Sequence, residues 1–363
     1  MTSPPRQLCF CASQHARTGE RLERTRLPPG QVGCDPLDSD NFVPLNFILT
    51  QIGVTKQTLK KLEAIQMVRE QREHHKQDIA YHARPFVLCG IPLRRPPADH
   101  ITHARRNGNF TLDIVGHPRF GLPFGQDRLI PIWVATLAVL QKSRFVRFAS
   151  PSALLDYFEL PKNGYHYKRI VQGFQRIFGA TIFFGTEEQH QRAVVSDSVR
   201  FHFFDRMQLW YNREESAEAD RSERHNTITL SEAFHKEIDR HKIPVERRVV
   251  AALANAPGTL DLYVWLVWRS WKLAAGQRAR IPLSGTTGLA QQLGSKEYGR
   301  DRDFRQKLAK WLREVKAWWP ECPDDGSPYG RFLIVSSARK SPAITARSDA
   351  QIYPRLALGR PGL

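Results

Sequence analysis

Cysteine is scarce in this chain. There are five, an odd number, with no Cys-x-x-Cys spacing, and three of them (Cys9, Cys11, Cys34) fall in the first 40 residues. That pattern argues against a disulfide framework or a thiolate zinc site and fits a reducing, cytoplasmic setting. No apolar run approaches the ~18 residues a membrane-spanning helix needs. Arg6, Arg17, Arg21, Arg24 and Arg26 interrupt any apolar core that a secretory leader would require. No Gly-Lys dipeptide occurs, so there is no phosphate-binding loop of the Walker type. Neither a Gly-x-Ser-x-Gly elbow nor a His-Glu-x-x-His pair is present. His166 and His202 each stand alone between aromatic neighbours, without the second histidine of a two-histidine nuclease motif. His74 and His75 are adjacent, so on a helix they face different ways and make no joint metal site. Acidic residues are scattered rather than clustered for a metal. The expectation is a protein that is not an enzyme and uses no cofactor or metal.

What the chain has in excess is positive charge. Its 363 residues carry 54 Lys and Arg against 36 Asp and Glu, a net charge of +18. That balance favours a polyanionic partner, nucleic acid before membrane. Hydrophobic content of 41% is enough for real cores, and the length suggests two or three domains of ~100–200 residues each.

The pattern organises itself around residues 165–204. Ile170, Val171, Phe174, Ile177 and Phe178 make one apolar helical stripe, with Tyr165, Lys168, Arg169, Gln172 and Arg176 opposite it. Gly179 stops the helix. Residues 181–184 then read as a strand, 185–192 as a polar loop and 199–204 as a second strand. Upstream, Asp127 caps a helix to about residue 143 whose buried face is Leu129, Trp133, Leu137 and Leu140. A short strand (145–148) and a short helix follow. The order helix, strand, helix, turn, helix, hairpin is that of a winged helix, here residues 127–212. Residues 213–225 lack apolar periodicity and read as a linker.

The order then recurs over residues 226–345. Residues 227–230 form a strand, and Ser231 caps the helix after it. A helix over 260–273 shows Leu260, Tyr263, Val264, Val267 and Trp271 on one side. Residues 281–283 are a strand and 287–293 a short helix. Residues 301–319 form a second candidate recognition helix, with Phe304, Leu308, Trp311, Leu312 and Val315 as its core stripe, followed by a turn-rich tip and a strand over 331–336. Two such units in tandem weigh more than one. The remaining chain divides into a low-order basic arm (1–40), a helix over 54–82 with a proline-rich strap carrying one strand at 110–115 (41–126 together), and a tail (346–363). The fold class is therefore α+β: two tandem winged-helix domains behind a helical, partly disordered N-terminal extension.

Arginine can satisfy both major-groove acceptors of guanine and glutamine those of adenine, whereas lysine mainly neutralises phosphate. Arg169, Gln172 and Arg176 on the first helix, and Arg302, Gln306 and Arg313 on the second, are the expected base readers. Lys168, Lys310 and Arg305 are the expected phosphate contacts. Tyr165 is either a backbone contact or the packed start of its helix. Gln189, His190, Gln191 and Arg192 stand at the first wing's tip, where they either follow the sugar–phosphate backbone or belong to a loop that binds nothing. The plain alternative for each helix is an ordinary solvated basic face; two helices, each followed by a wing, favour DNA.

Three strings carry a family likeness: GLPFGQDRLIPIWVATLAVLQKSR (121–144), GYHYKRIVQGFQRIFGATIFFGTEEQ (164–189) and RFHFFDRMQLWY (200–211). They resemble the plasmid-encoded RepA replication initiator family, and the likeness spans roughly residues 70–340. LDLYVWLVWRSW (260–271) also resembles the second winged helix of plasmid initiators more broadly. The resemblance implies a protein that binds repeated double-stranded origin sites (iterons), opens the adjacent duplex and recruits host initiator, helicase and primase. It also implies a dimer that represses its own gene. Without a nucleotide site, duplex opening would be driven by binding and bending. The competing readings are a winged-helix transcriptional repressor with no replication role and a metal-dependent nuclease or primase, the latter motivated by charge alone.

Overall fold

The computed structural model describes residues 55–190, 193–209, 226–285, 288–293, 300–324 and 330–337. The expected basic arm, the tail and the whole of the expected linker lie outside these residues. From Lys56 onward the described residues form one unit.

Helix α1 (Lys56–Glu73) buries Ile65 and Val68 and leaves Leu62 and Met67 exposed. The sequence pattern extends this helix to residue 82, but it stops nine residues earlier. Residues 69–76 are polar and offer no apolar face, and His75 turns the chain with a positive φ of 53°. Residues after the turn pair instead. Strand β1 (Ile79–Ala83) runs antiparallel to β9 (Lys242–Glu246), with Ile79 opposite Glu246 and Ala83 opposite Lys242. This ribbon ties the start of the unit to its second half.

The proline-rich stretch that follows is more than a strap. It contains a short helix, α2 (Arg84–Leu88), and two strands, β2 (Thr102–Asn107) and β3 (Phe110–Val115). Strand β2 gives no hydrophobic alternation because its inward positions are His103 and Arg105. A 3₁₀ turn (Gly125–Arg128) leads into α3 (Leu129–Gln141), and β4 (Phe145–Phe148), α4 (Ser152–Tyr157) and α5 (Gly164–Gly179) follow.

The hairpin after α5 is longer than its apolar pattern. Strands β5 (Thr181–His190) and β6 (Ala193–His202) pair from Thr181–His202 to His190–Ala193. Residues 185–190, which read as loop, are ladder. Gly185 belongs there because a Cβ on it would lie 2.2 Å from the Asp197 carbonyl oxygen. Strands β2, β3, β5 and β6 form one sheet in that order. The chain then kinks at Phe203 into β7 (Phe204–Gln208), which joins a second sheet in the order β4, β8, β7. Its middle strand is β8 (Asn226–Leu230). The sequence assigns β8 to the second winged helix, yet it buries Asn226, Ile228 and Leu230 between β4 and β7.

In the second half, Ser231 caps α6 (Glu232–His241) by accepting the Phe234 N–H at 3.1 Å. After β9 come α7 (Arg247–Ala252) and α8 (Pro257–Lys272). Helix α8 is buried on nearly every face: Leu262, Trp265, Leu266 and Trp268 are buried together with Leu260, Tyr263, Val264 and Val267. It is a central core helix rather than an amphipathic surface one. Trp271, expected in the buried stripe, is 56% exposed. Strand β10 (Arg278–Pro282), α9 (Leu289–Gln292), α10 (Asp301–Trp318) and β11 (Phe332–Ser336) complete the unit. Strand β11 pairs with β10 on one side, and Val335 bridges to Asp324 on the other.

His82, on β1, lies between the halves and is buried beside Phe86. Burial, and next the charge of Arg128, push its imidazole down to about 3. An unfolded histidine titrates near ~6.5. The unfolded chain therefore takes up a proton that the folded chain refuses, and stability is lost as pH falls from about 6.5 towards 3. Between pH 7 and pH 5, wild type is expected to lose about 2 kcal/mol more stability than His82→Gln, read by urea unfolding. Equal losses in the two proteins would exclude His82 as the source.

Candidate nucleic-acid interface

Helix α5 begins at Asn163, whose side-chain oxygen accepts the His166 N–H at 2.9 Å. Ile170, Val171, Phe174 and Ile177 are buried, while Phe178 is 36% exposed. On the opposite face Tyr165, Lys168 and Gln172 are open to solvent. Arg169 is half-buried, with its guanidinium over Gly125: a Cβ on that glycine would lie 3.6 Å from Arg169 Nη2.

Arg176 departs from the expectation. Its Nε and Nη2 donate to Asp127 at 2.6 and 2.9 Å, and the guanidinium lies 4.7 Å from the centre of the Phe124 ring. Its side chain is 11% exposed and that of Asp127 4%. Such a guanidinium is committed inside the protein and has no fork left for a base. Gly173 explains how α5 comes so near. A Cβ there would meet Asp127 Oδ1 at 2.7 Å and Ile130 Cδ1 at 2.9 Å. A glycine in mid-helix costs about 1 kcal/mol in propensity, and here it admits a bidentate ion pair.

Where the first wing is expected, the Gln189 backbone lies in the β5–β6 ladder opposite Val194. Arg192 and Gln191 lie outside the described residues. In the same hairpin Glu187 pairs with Arg106 of β2 at 3.2 Å.

Helix α10 carries the expected stripe. Phe304, Leu308, Trp311, Leu312 and Val315 are buried. Arg302, Gln306, Lys310 and Arg313 are all exposed, four positions along a single face. Arg305 is half-buried, which leaves its side chain less reach than the other four. Gly258 sets how closely α8 approaches this helix, because a Cβ on it would lie 2.1 Å from the Trp311 ring.

The sequence reading did not single out Lys307 or Arg94, which stand around one cleft with the expected Lys310. Lys307 and Lys310 line a cleft of about 270 Å³ together with Leu93 and Arg94. The signal that could have found them is the Arg94-Arg95 pair set between Pro92 and Pro96. A second miss lies on β10 and β11, where the Arg280 guanidinium stacks 4.3 Å from the centre of the half-exposed Phe332 ring.

The 3₁₀ turn before α3 fixes how these surfaces stand. All four of its residues are buried. Gly125, at φ 56°, lies beside Arg169. Gln126 donates to Asn255, at the edge of the cleft. Asp127 holds Arg176 of α5. Arg128 makes a bidentate pair with Asp261 of α8, at 2.7 and 2.9 Å. One turn thus grips α5 with one residue and α8 with the next. Among the described residues, no group of three His, Cys, Asp or Glu is placed to hold a metal, and no helix is long and apolar enough to cross a membrane.

No curated protein matches this chain. Two crystal structures of RctB domains 2 and 3 overlay on 71% of it and on 93% and 94% of their own chains, at 13% identity and TM-scores of 0.42 and 0.44. Residues 166–284, from α5 through β10, match the model of the family described as plasmid encoded RepA protein, so the resemblance carried by the strings at 164–189 and 200–211 is to that family.

Proposed function

We propose that this protein is a plasmid replication initiator that binds repeated duplex sites in its origin through two winged helices. The first unit is α3, β4, α4, α5 and the β5–β6 hairpin. The second is α8, β10, α9, α10 and β11. The observation that carries the reading is the face of α10, where Arg302, Gln306, Lys310 and Arg313 stand exposed on a helix whose other side is core. The net charge of +18 suits a polyanion, and the match over 166–284 points to plasmid initiation. No catalytic step is assigned to the protein. It works by binding and deforming DNA and then recruiting host initiator, helicase and primase. A homodimer acting as autorepressor belongs to the same reading.

Binding to an origin-repeat duplex and to a scrambled duplex over a salt series tests this directly. The expected specific-to-nonspecific ratio is ~10³ or more. Arg302→Ala and Arg313→Ala are each expected to cost about 1–3 kcal/mol on the repeat and to relax base preference. A wild-type ratio near one, with a steep salt slope, would reduce the protein to a general polyanion binder. Tight repeat binding with no unpaired thymines at the origin under permanganate would leave a repressor.

A further inference from the structure

We infer that the outer face of the β4–β8–β7 sheet is a platform for unpaired nucleotides, on which bases stack against the Phe145 ring and Arg147 and Arg206 neutralise the phosphates. It uses no residue of the α5 or α10 faces. The inference goes beyond the duplex-binding reading and does not depend on it.

Strand pairing sets the face. Thr229 of β8 stands opposite Phe145 of β4 and Arg206 of β7, and Thr227 stands opposite Arg147 and Gln208. Residues opposite one another in an antiparallel ladder share a face. Phe145, Thr229 and Arg206 therefore make one row, and Arg147, Thr227 and Gln208 the next. The rows lie ~7 Å apart and each spans ~10 Å. The alternate residues Val146, Phe148, Ile228 and Leu230 turn inward to the core. Phe145 is 60% exposed, and Arg147 and Arg206 are open to solvent. A sheet that buries one side ordinarily turns polar residues to water on the other. A phenylalanine there gives up the burial that a core position would supply.

The charges on this face are available. Arg147 is held through its backbone, whose N–H donates to Gln141 Oε1 at 3.0 Å and whose carbonyl accepts Gln141 Nε2 at 2.8 Å. Its guanidinium, like that of Arg206, makes no hydrogen bond or ion pair with any described residue. Asp205, next to Arg206, is engaged by Arg144 at 2.8 Å. The Arg144 guanidinium also lies 5.4 Å from the centre of the Phe145 ring, a contact that holds the ring in place. The edge of β4 is less available than its face. Gln141 satisfies both outward backbone groups of Arg147, and Ser143 Oγ accepts the Phe145 N–H at 3.0 Å, so these groups are not offered to an added strand. A basic face with one open aromatic ring suits single strands. In a duplex the bases are stacked inside, whereas an unpaired base can lie on a ring with its phosphate beside an arginine.

The test is fluorescence anisotropy of an oligo-dT of ~12 nucleotides titrated with the full chain over a salt series, beside the scrambled duplex. Wild type is expected to bind the oligonucleotide. Phe145→Ala should weaken that binding on the order of tenfold and leave the salt slope in place. Phe145→Trp should retain it, because a larger ring still stacks. Arg147→Ala/Arg206→Ala should lower the single-strand slope by about 1.4, at ~0.7 per phosphate. All three positions are exposed, so each thermal midpoint should match wild type, and duplex affinity is expected to stay at the wild-type value. A wild type that does not bind oligo-dT, or a Phe145→Ala protein that binds it equally well, would overturn the platform. Equal losses on oligo-dT and duplex would also overturn it and make this face part of the duplex interface. Polyglutamate that displaces oligo-dT from wild type but not from Phe145→Ala would overturn it in favour of an acidic protein partner. Preference for origin repeats enters none of these readings, so the initiator proposal and the platform fail separately.

Discussion

Arg128→Met is expected to lower the free energy of unfolding by about 3–5 kcal/mol. The arginine is 3% exposed and its partner Asp261 9%. Nε and Nη2 donate to the two carboxylate oxygens, Nη1 donates to the Gly125 carbonyl, and Nη2 donates also to the Ile91 carbonyl. Burial pushes the Asp261 carboxyl up, against the pull of Arg128. Remove the cation and that carboxylate stays in the interior unpaired, which is the expensive way to break a buried pair. The surroundings leave no slack, since even a methyl on Gly90 would lie 2.6 Å from Asp261 Oδ2. Arg128→Met/Asp261→Leu should recover the larger part of the loss, because an apolar pair of similar volume no longer buries a lone charge. The Gly125 and Ile91 carbonyls lose the guanidinium donors, so recovery falls short of wild type. Denaturant unfolding of the three proteins is the measurement. A single variant within ~1 kcal/mol of wild type would mean that water reaches Asp261.

How much of this was legible depends on where each element puts its apolar residues. Helices α5 and α10 announce themselves because each has one buried and one solvated face, which periodicity detects. Helix α8 is legible as a helix but not as a central one, since the Leu260-to-Trp271 count looks for a single stripe and the helix is buried all round. Strand β2 is illegible because it turns His103 and Arg105 inward. The second half of the hairpin hides for the opposite reason: Thr186 and Glu187 sit in a ladder that needs no apolar face. β8 is legible as a strand, but a period of two says nothing about which sheet a strand joins. The site shows the same limit. Position on a helical wheel separates inward from outward residues, and Arg302, Gln306, Lys310 and Arg313 do face outward. It could not show that an acid from residue 127 meets one of the outward residues of α5, because that pairing spans 49 positions of chain.

That residue is Arg176, and substituting it is expected to give a result opposite to the one its place on the wheel suggests. Arg176→Ala should cost about 3 kcal/mol of folding stability and leave the base preference of the folded protein unchanged. The loss has three physical sources: a 4%-exposed Asp127 side chain without its cation, two charge-assisted hydrogen bonds, and the guanidinium packed on Phe124. Asp127 retains the Phe124 N–H at 3.0 Å, which moderates the loss. Arg313→Ala is the matched control, a residue of the same type on the exposed face of α10. It should stay within about 0.5 kcal/mol of wild type in stability while losing repeat affinity. Gly173→Ala disturbs the same pair without touching either charge, because its Cβ would press on Asp127 Oδ1; it should fall on the side of Arg176→Ala, losing stability rather than discrimination. If Arg176→Ala melts like wild type and relaxes base choice, the ion pair opens on DNA and the arginine reads a base after all. If both α5 variants destabilise and only the α10 variant loses discrimination, then the 3₁₀ turn at residues 125–128 uses the inner end of α5 as a bracket. Base reading on that helix is then left to Arg169 and Gln172, with Lys168 beside them as the phosphate contact.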